Sequence, residues 1–130
     1  MSVRTAVAAA ATAAALLALA VPSVAAGDSP EHGRLFLTVS GAQNTWIRGT
    51  QLSCPSAGGH HPHAAQACAT LHRAQGEPDA VPADKHLCTR EYDPVTATAE
   101  GDWDGRPVVW RKTYPNSCAL DVATGPVFRF

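Results

Sequence analysis

The chain has 130 residues, of which 45% are hydrophobic and 16% charged, with a formal net charge of −1 and four cysteines. That length accommodates one domain with a modest core and excludes a large enzyme. The slight acidic excess argues against nucleic acid as a partner, which would favour a basic patch.

Arg4 precedes an Ala-rich and almost wholly apolar run over residues 6–21, and Val24-Ala25-Ala26 supplies the small residues that a signal peptidase inspects. Residues 1–26 are therefore expected to be a secretory signal peptide, with the mature protein starting at Gly27 and secreted. The run is short for a bilayer span and no later segment is apolar enough to be one, so no membrane partner is expected. Arg4 is the only charged residue of that segment, which leaves 104 residues carrying nine basic and eleven acidic side chains.

Residues 27–33 contain Asp, Ser, Pro, Glu and Gly without apolar periodicity and read as a flexible tail, with the domain over residues 34–130. Short runs rich in β-branched and aromatic residues, 35–39 and 45–52, flank the turn-like Gly41-Ala42-Gln43-Asn44 and predict a hairpin. Residues 54–59 have loop composition, and Pro62 suits the first turn of a helix. Residues 63–75 fit that helix, with Ala64, Ala67, Cys68, Leu71 and Ala74 on one face, Gln66, Thr70 and Arg73 on the other, and Gly76 at its end.

Pro78 and Pro82 discourage regular structure over residues 77–87, and Cys88-Thr89-Arg90-Glu91-Tyr92-Asp93-Pro94 continues as an extended loop. Residues 95–99 and 108–114 predict a second hairpin around Asp104-Gly105. Residues 116–121 read as a helical turn, and 127–130 as a final strand with Phe128 and Phe130 on one face. Strands in hairpin order plus one good helix give an α+β fold with an antiparallel sheet.

Cys54, Cys68, Cys88 and Cys118 all lie in the exported part, where an oxidising environment lets disulfides persist. Three pairings are open, and Cys54–Cys68 with Cys88–Cys118 is taken because each closes a local loop. A zinc site would need tighter Cys-x-x-Cys spacing. His60, His61 and His63 are the most tempting metal cluster, but they lie in a Gly-rich loop with no acidic or sulfur ligand at fixed spacing and read as solvated. No metal or cofactor is expected. Trp46, Trp103 and Trp110 read as core or interface anchors rather than a ligand-stacking surface. Asp102 and Asp104 read as turn residues, and no Gly-x-Ser-x-Gly elbow occurs, so no catalytic residue is assigned.

The stretch from Cys88 to Pro94 combines a cysteine anchor, a charged pair and a proline stop. With Val95 it resembles the reactive-site segment of the Streptomyces subtilisin inhibitor family. Gly101-Asp102-Trp103-Asp104-Gly105-Arg106, Thr113-Tyr114-Pro115-Asn116-Ser117-Cys118 and Val127-Phe128-Arg129-Phe130 are similar to later blocks of that family in the same order. The resemblance implies a disulfide-stapled single domain with a five-stranded antiparallel sheet and two helices, the same cysteine pairing, and a homodimer. It also implies inhibition of subtilisin-like serine proteases by substrate mimicry. Arg90 then stands at P1 and Glu91 at P1′ of the reactive bond, Cys88, Thr89 and Tyr92 contact the protease, and Asn116 braces the loop from behind. An Arg at P1 also suits trypsin-like proteases. The competing expectations are a secreted binding module whose held loop recognises a non-protease partner and, further off, a small metal-dependent enzyme.

Overall fold

The computed structural model describes residues 32–55 and 59–130; the expected signal peptide and most of the expected tail lie outside them. The elements run β1 (Gly33–Gly41), β2 (Ile47–Cys54), α1 (Ala64–Arg73), β3 (Val95–Trp103), β4 (Arg106–Tyr114) and α2 (Ser117–Thr124), with a 3₁₀ turn at Gly125–Phe128. Strand β1 reaches back to Gly33, and the His32 amide already donates to the Cys54 carbonyl at 2.8 Å.

The four strands form one antiparallel sheet in the order β2-β1-β3-β4. Alternation along β1 sends Leu35, Leu37 and Val39 inward and leaves Phe36 outward. Across from Leu37 and Val39, β3 places the small Ala99 and Ala97, which leaves room over the sheet for a helix. Helix α1 packs on the core through Ala67, Cys68 and Leu71, against β2 and the carboxy-terminal 3₁₀ turn, and Trp103 closes the end of the core.

The sequence places Thr70 on the outer face of α1, whereas it is buried beside Ala67, Leu71 and Ala74. These positions follow i, i+3, i+4 and i+7, so the apolar stripe is wide enough to take in a short hydroxyl side chain. The helix ends in paired bonds, Gly76 N–H to the Leu71 carbonyl at 2.8 Å and Gln75 N–H to the His72 carbonyl at 3.2 Å. Gly76 has φ +79, and a Cβ there would run into the Trp103 ring, so both backbone angle and space require glycine. Asp104 and Gly105, with φ of 47 and 75, make the two-residue turn between β3 and β4.

Two expectations change at the carboxy-terminal end. The helical turn expected over 116–121 extends as α2 to Thr124, and the fifth strand expected over 127–130 is absent, leaving four strands and two α-helices among the described residues. Pro126 opens a 3₁₀ turn there instead, and Val127 and Phe128 are both buried in succession, which breaks the in–out alternation that the sequence pattern suggested. Phe128 packs against Trp110 with ring centroids 5.6 Å apart. No helix among the described residues is long and apolar enough to cross a membrane.

Candidate functional site

Between the 3₁₀ turn at Pro78–Ala80 and β3 the chain runs through residues 81–94 without regular structure. Its outer side chains are open to solvent, with Leu87 96% and Tyr92 79% exposed, and Arg90 and Glu91 exposed between them. A segment without helix or sheet bonds must be held by other groups if it is to keep one shape. Here those groups come from α2 and the residues just before it.

Asn116 is the N-cap of α2, extended at φ −165, and its Oδ1 accepts the Ala119 amide at 2.8 Å. That leaves the Nδ2 hydrogens free to point away from the helix. They donate to the Glu91 carbonyl at 2.8 Å and to the Thr89 carbonyl at 3.4 Å, so one buried amide bridges the two carbonyls on either side of Arg90. Of the good capping side chains, only Asn both accepts from the helix and donates outward through two hydrogens; Asp has none, and Ser or Thr has one. The Asp93 amide donates to the Pro115 carbonyl at 2.9 Å. Cys88 is bonded to Cys118 in the first turn of α2, and Cys54 to Cys68.

Upstream of Cys88 a second set of contacts reaches α2. The Asp84 amide donates to the Val122 carbonyl at 2.8 Å. His86 Nδ1 lies 3.1 Å from Asp84 Oδ2, and its Nε2 lies 3.8 Å from Asp121 Oδ2. Arg129 pairs with both oxygens of Asp121. The hydrogen bonds from His86 and then from the Lys85 amide hold the Asp84 carboxyl below its ordinary range, and Asp121 raises the Arg129 guanidinium. Sequence reasoning did not single out Asp84, His86, Asp121 or Arg129 for any role. No spacing links them, because 37 residues separate Asp84 from Asp121.

The histidine cluster is not a uniformly solvated loop. His60 and His63 are exposed, but His61 is buried, with Nδ1 accepting the His63 amide at 3.0 Å. Its Nε2 must then carry the hydrogen, which it donates to the Val127 carbonyl at 2.8 Å. Both ring nitrogens are thereby occupied in tying the start of α1 to the carboxy-terminal turn. Burial is the main cause holding the His61 imidazole below its ordinary pKa, with nearby His63 acting in the same sense. Among the described residues His86, Cys88 and Cys118 bring potential ligand atoms within 4.8 Å of one another, but both sulfurs are spent in the disulfide.

The assembly is thus an exposed peptide whose main chain is pinned on both sides of one cationic side chain. A subtilisin inhibitor-like family model matches residues 31–116. A subtilase-type protease inhibitor of Streptomyces coelicolor is 41% identical over 118 residues, 86% of this chain and 82% of the relative. Subtilisin inhibitor-like protein 2 of Streptomyces rochei is 43% identical over 102 residues, 74% of this chain and 90% of the relative. Among solved structures, Streptomyces caespitosus sermetstatin, crystallised in complex with Bacillus licheniformis subtilisin, aligns with a TM-score of 0.59 and 33% identity. That alignment covers 77% of this chain and 99% of sermetstatin. The chain belongs to the subtilisin inhibitor-like family, whose members are protease inhibitors and not enzymes.

Proposed function

We propose that this protein is a secreted, substrate-like inhibitor of serine proteases that offers Arg90–Glu91 as its reactive bond, with Arg90 at P1 and Glu91 at P1′. The observation that carries this reading is the Asn116 amide, which spans the Thr89 and Glu91 carbonyls and leaves the Arg90 side chain open to solvent. A loop already shaped for docking loses little entropy on binding, so more of its contact energy appears as affinity. The name of the Streptomyces coelicolor relative and the sermetstatin complex support subtilisin-like proteases as targets. The Arg90 guanidinium adds trypsin-like proteases, whose acidic pocket pairs with it through charge-assisted hydrogen bonds.

In this mechanism the protease serine oxygen adds to the Arg90 carbonyl carbon, the Arg90–Glu91 bond breaks, and the serine proton passes through the protease base to the Glu91 nitrogen. The bond from Asn116 to the Glu91 carbonyl and the Asp93–Pro115 bond keep that new amine beside the acyl group. The amine then re-forms the peptide bond before water reaches the acyl-enzyme. Cys88, Thr89 and Tyr92 supply further contacts in an interface of roughly 1,600 Å².

A homodimer belongs to the same reading. Phe36 and Val109 lie outward on the sheet at the same level, each opposite Glu100 on β3, and both are exposed; a second copy would cover them. Sedimentation at micromolar concentration tests this separately, and a monomer removes the dimer without touching the inhibitor assignment.

Titrating trypsin and subtilisin with the purified protein tests the central reading. Stoichiometric loss of protease activity is expected, and Arg90→Ala should weaken trypsin inhibition selectively. A protein that leaves both proteases active would instead be a binding module for a non-protease partner.

A further inference from the structure

We infer that His86 is a positioning residue that keeps the acyl side of the loop in line, an inference that rests on reading Arg90–Glu91 as the bond presented to a protease. The chain after Arg90 is held by Asn116 and Pro115, at the start of α2. The chain before it crosses residues 84–88 without helix or sheet bonds, and Leu87 projects into solvent. Beyond the Cys88–Cys118 bond and the 3.4 Å bond from Asn116 to the Thr89 carbonyl, this half is tied to α2 by the Asp84 amide and by a chain of contacts through one imidazole.

His86 stands between two carboxylates, one on its own segment and one on α2, at 3.1 Å from Asp84 and 3.8 Å from Asp121. An ionised carboxylate only accepts, so Nδ1 donates to Asp84. Asp121 is itself fixed by the two-pronged contact with Arg129. The Asp84 amide is bonded to the Val122 carbonyl, so the acid that receives the His86 hydrogen is anchored to the same helix. A ring nitrogen of His86 also lies within 4.8 Å of both sulfurs of the Cys88–Cys118 bridge. The disulfide fixes Cys88 at one point, and His86 fixes the direction from which the chain arrives there.

That direction matters once the reactive bond is open. Residues 88–90 are then attached to the protease, and re-formation of the bond requires Arg90 to stay opposite a Glu91 amine that Asn116 and Pro115 hold still. A looser upstream arm lets the acyl group drift and gives water more time. Contacts between exposed charged groups are individually modest, which puts the expected effect at about three- to five-fold rather than a loss of inhibition.

The test uses the full protein with His86→Leu, His86→Gln, Asp121→Asn and the double variant His86→Leu/Asp121→Asn. Amide hydrogen exchange over residues 85–90 is measured without protease. Cleavage of Arg90–Glu91 under trypsin is followed by mass spectrometry, and Tm is recorded alongside. The inference expects His86→Leu to raise loop exchange and the cleavage rate by about three- to five-fold. Tm and exchange in β1 and β3 should stay at parent values, His86→Gln should recover part of the effect through its donor to Asp84, and the double variant should be no worse than His86→Leu. Unchanged exchange and cleavage in His86→Leu, or a His86→Gln that behaves like Leu, overturns it. So does a fall in Tm that tracks the loop, since that would mark general destabilisation. If the parent inhibits neither protease, the inhibitor reading fails, while the exchange comparison still decides whether His86 holds the loop.

Discussion

Each of the two disulfides ends on a helix, under opposite conditions. Cys54–Cys68 ties β2 to α1 inside the core, where the two residues are 1% and 8% exposed and packing surrounds the bond. Cys88–Cys118 ties an exposed segment to α2, where hydrogen bonds donated by Asn116 and accepted by the Pro115 and Val122 carbonyls stand in for a core. The first bond reinforces a shape that burial already specifies. The second substitutes for burial, so its loss should show in what the loop does more than in whether the domain folds.

The largest expected effect comes from removing the second bond. In Cys88→Ser/Cys118→Ser the 30-residue separation implies a loss of about 3.5 kcal/mol of chain-entropy stabilisation. The protein that remains folded by circular dichroism should be cut at Arg90–Glu91 and inhibit only temporarily. Cys54→Ala/Cys68→Ala should lose about 3 kcal/mol for its separation of 14, plus the cost of a core cavity. Its Tm should fall by roughly 15 °C, yet below that temperature its inhibition should last as long as the parent's. If the core variant is the one that is cut quickly, the contrast between the two bonds is wrong.

A smaller change separates capping from bracing within one side chain. Asn116→Asp keeps an acceptor for the Ala119 amide and loses the donors to Thr89 and Glu91, so stability should stay within about 1 kcal/mol. Cleavage of the 90–91 bond, followed by mass spectrometry, should rise by about ten-fold for the lost loop hydrogen bonds. Asn116→Ala should lose the cap as well, by about 1 kcal/mol. Equal cleavage in Asn116→Asp and the parent would show that the disulfide suffices.

The smallest effect is a pH dependence that leaves the loop alone. The His61 pKa is lowered by burial from the ordinary 6.5, so the unfolded chain binds that proton more readily than the folded one. Its contribution to stability is full above pH 6.5 and is lost as pH falls through the folded value. Denaturant unfolding between pH 7 and 5 should show this slope for the parent and lose it in His61→Gln, with cleavage of the loop unaffected by the substitution.

How much of this was legible depended on how local each signal was. Alternation at Leu35, Leu37 and Val39, the stripe from Ala67 to Ala74 and the Asp104-Gly105 turn declare themselves within a few residues, and both hairpins and α1 followed. The 127–130 segment misled because Val-Phe-Arg-Phe alternates like a strand, while Pro126 just before it favours a tight turn. His61 misled because its neighbours are Gly, His and Pro, and nothing in that composition shows that Val127, 66 residues away, takes its hydrogen. The cysteine-anchored loop could be read from Cys88 and Pro94, but its upstream ties to Asp121 and Val122 exist only after α2 has docked.

Asn116 and Pro115 grip the loop by its carbonyls and an amide, at Thr89, Glu91 and Asp93, rather than by its side chains. Any L-residue presents the same carbonyl, so the residue at position 90 can be exchanged without asking the scaffold to adapt. With Arg90 read as the P1 residue, target choice and loop rigidity become separable traits in this molecule. A lineage, or a laboratory library varied at position 90 alone, can exchange the identity of the key while the hand that holds it stays the same.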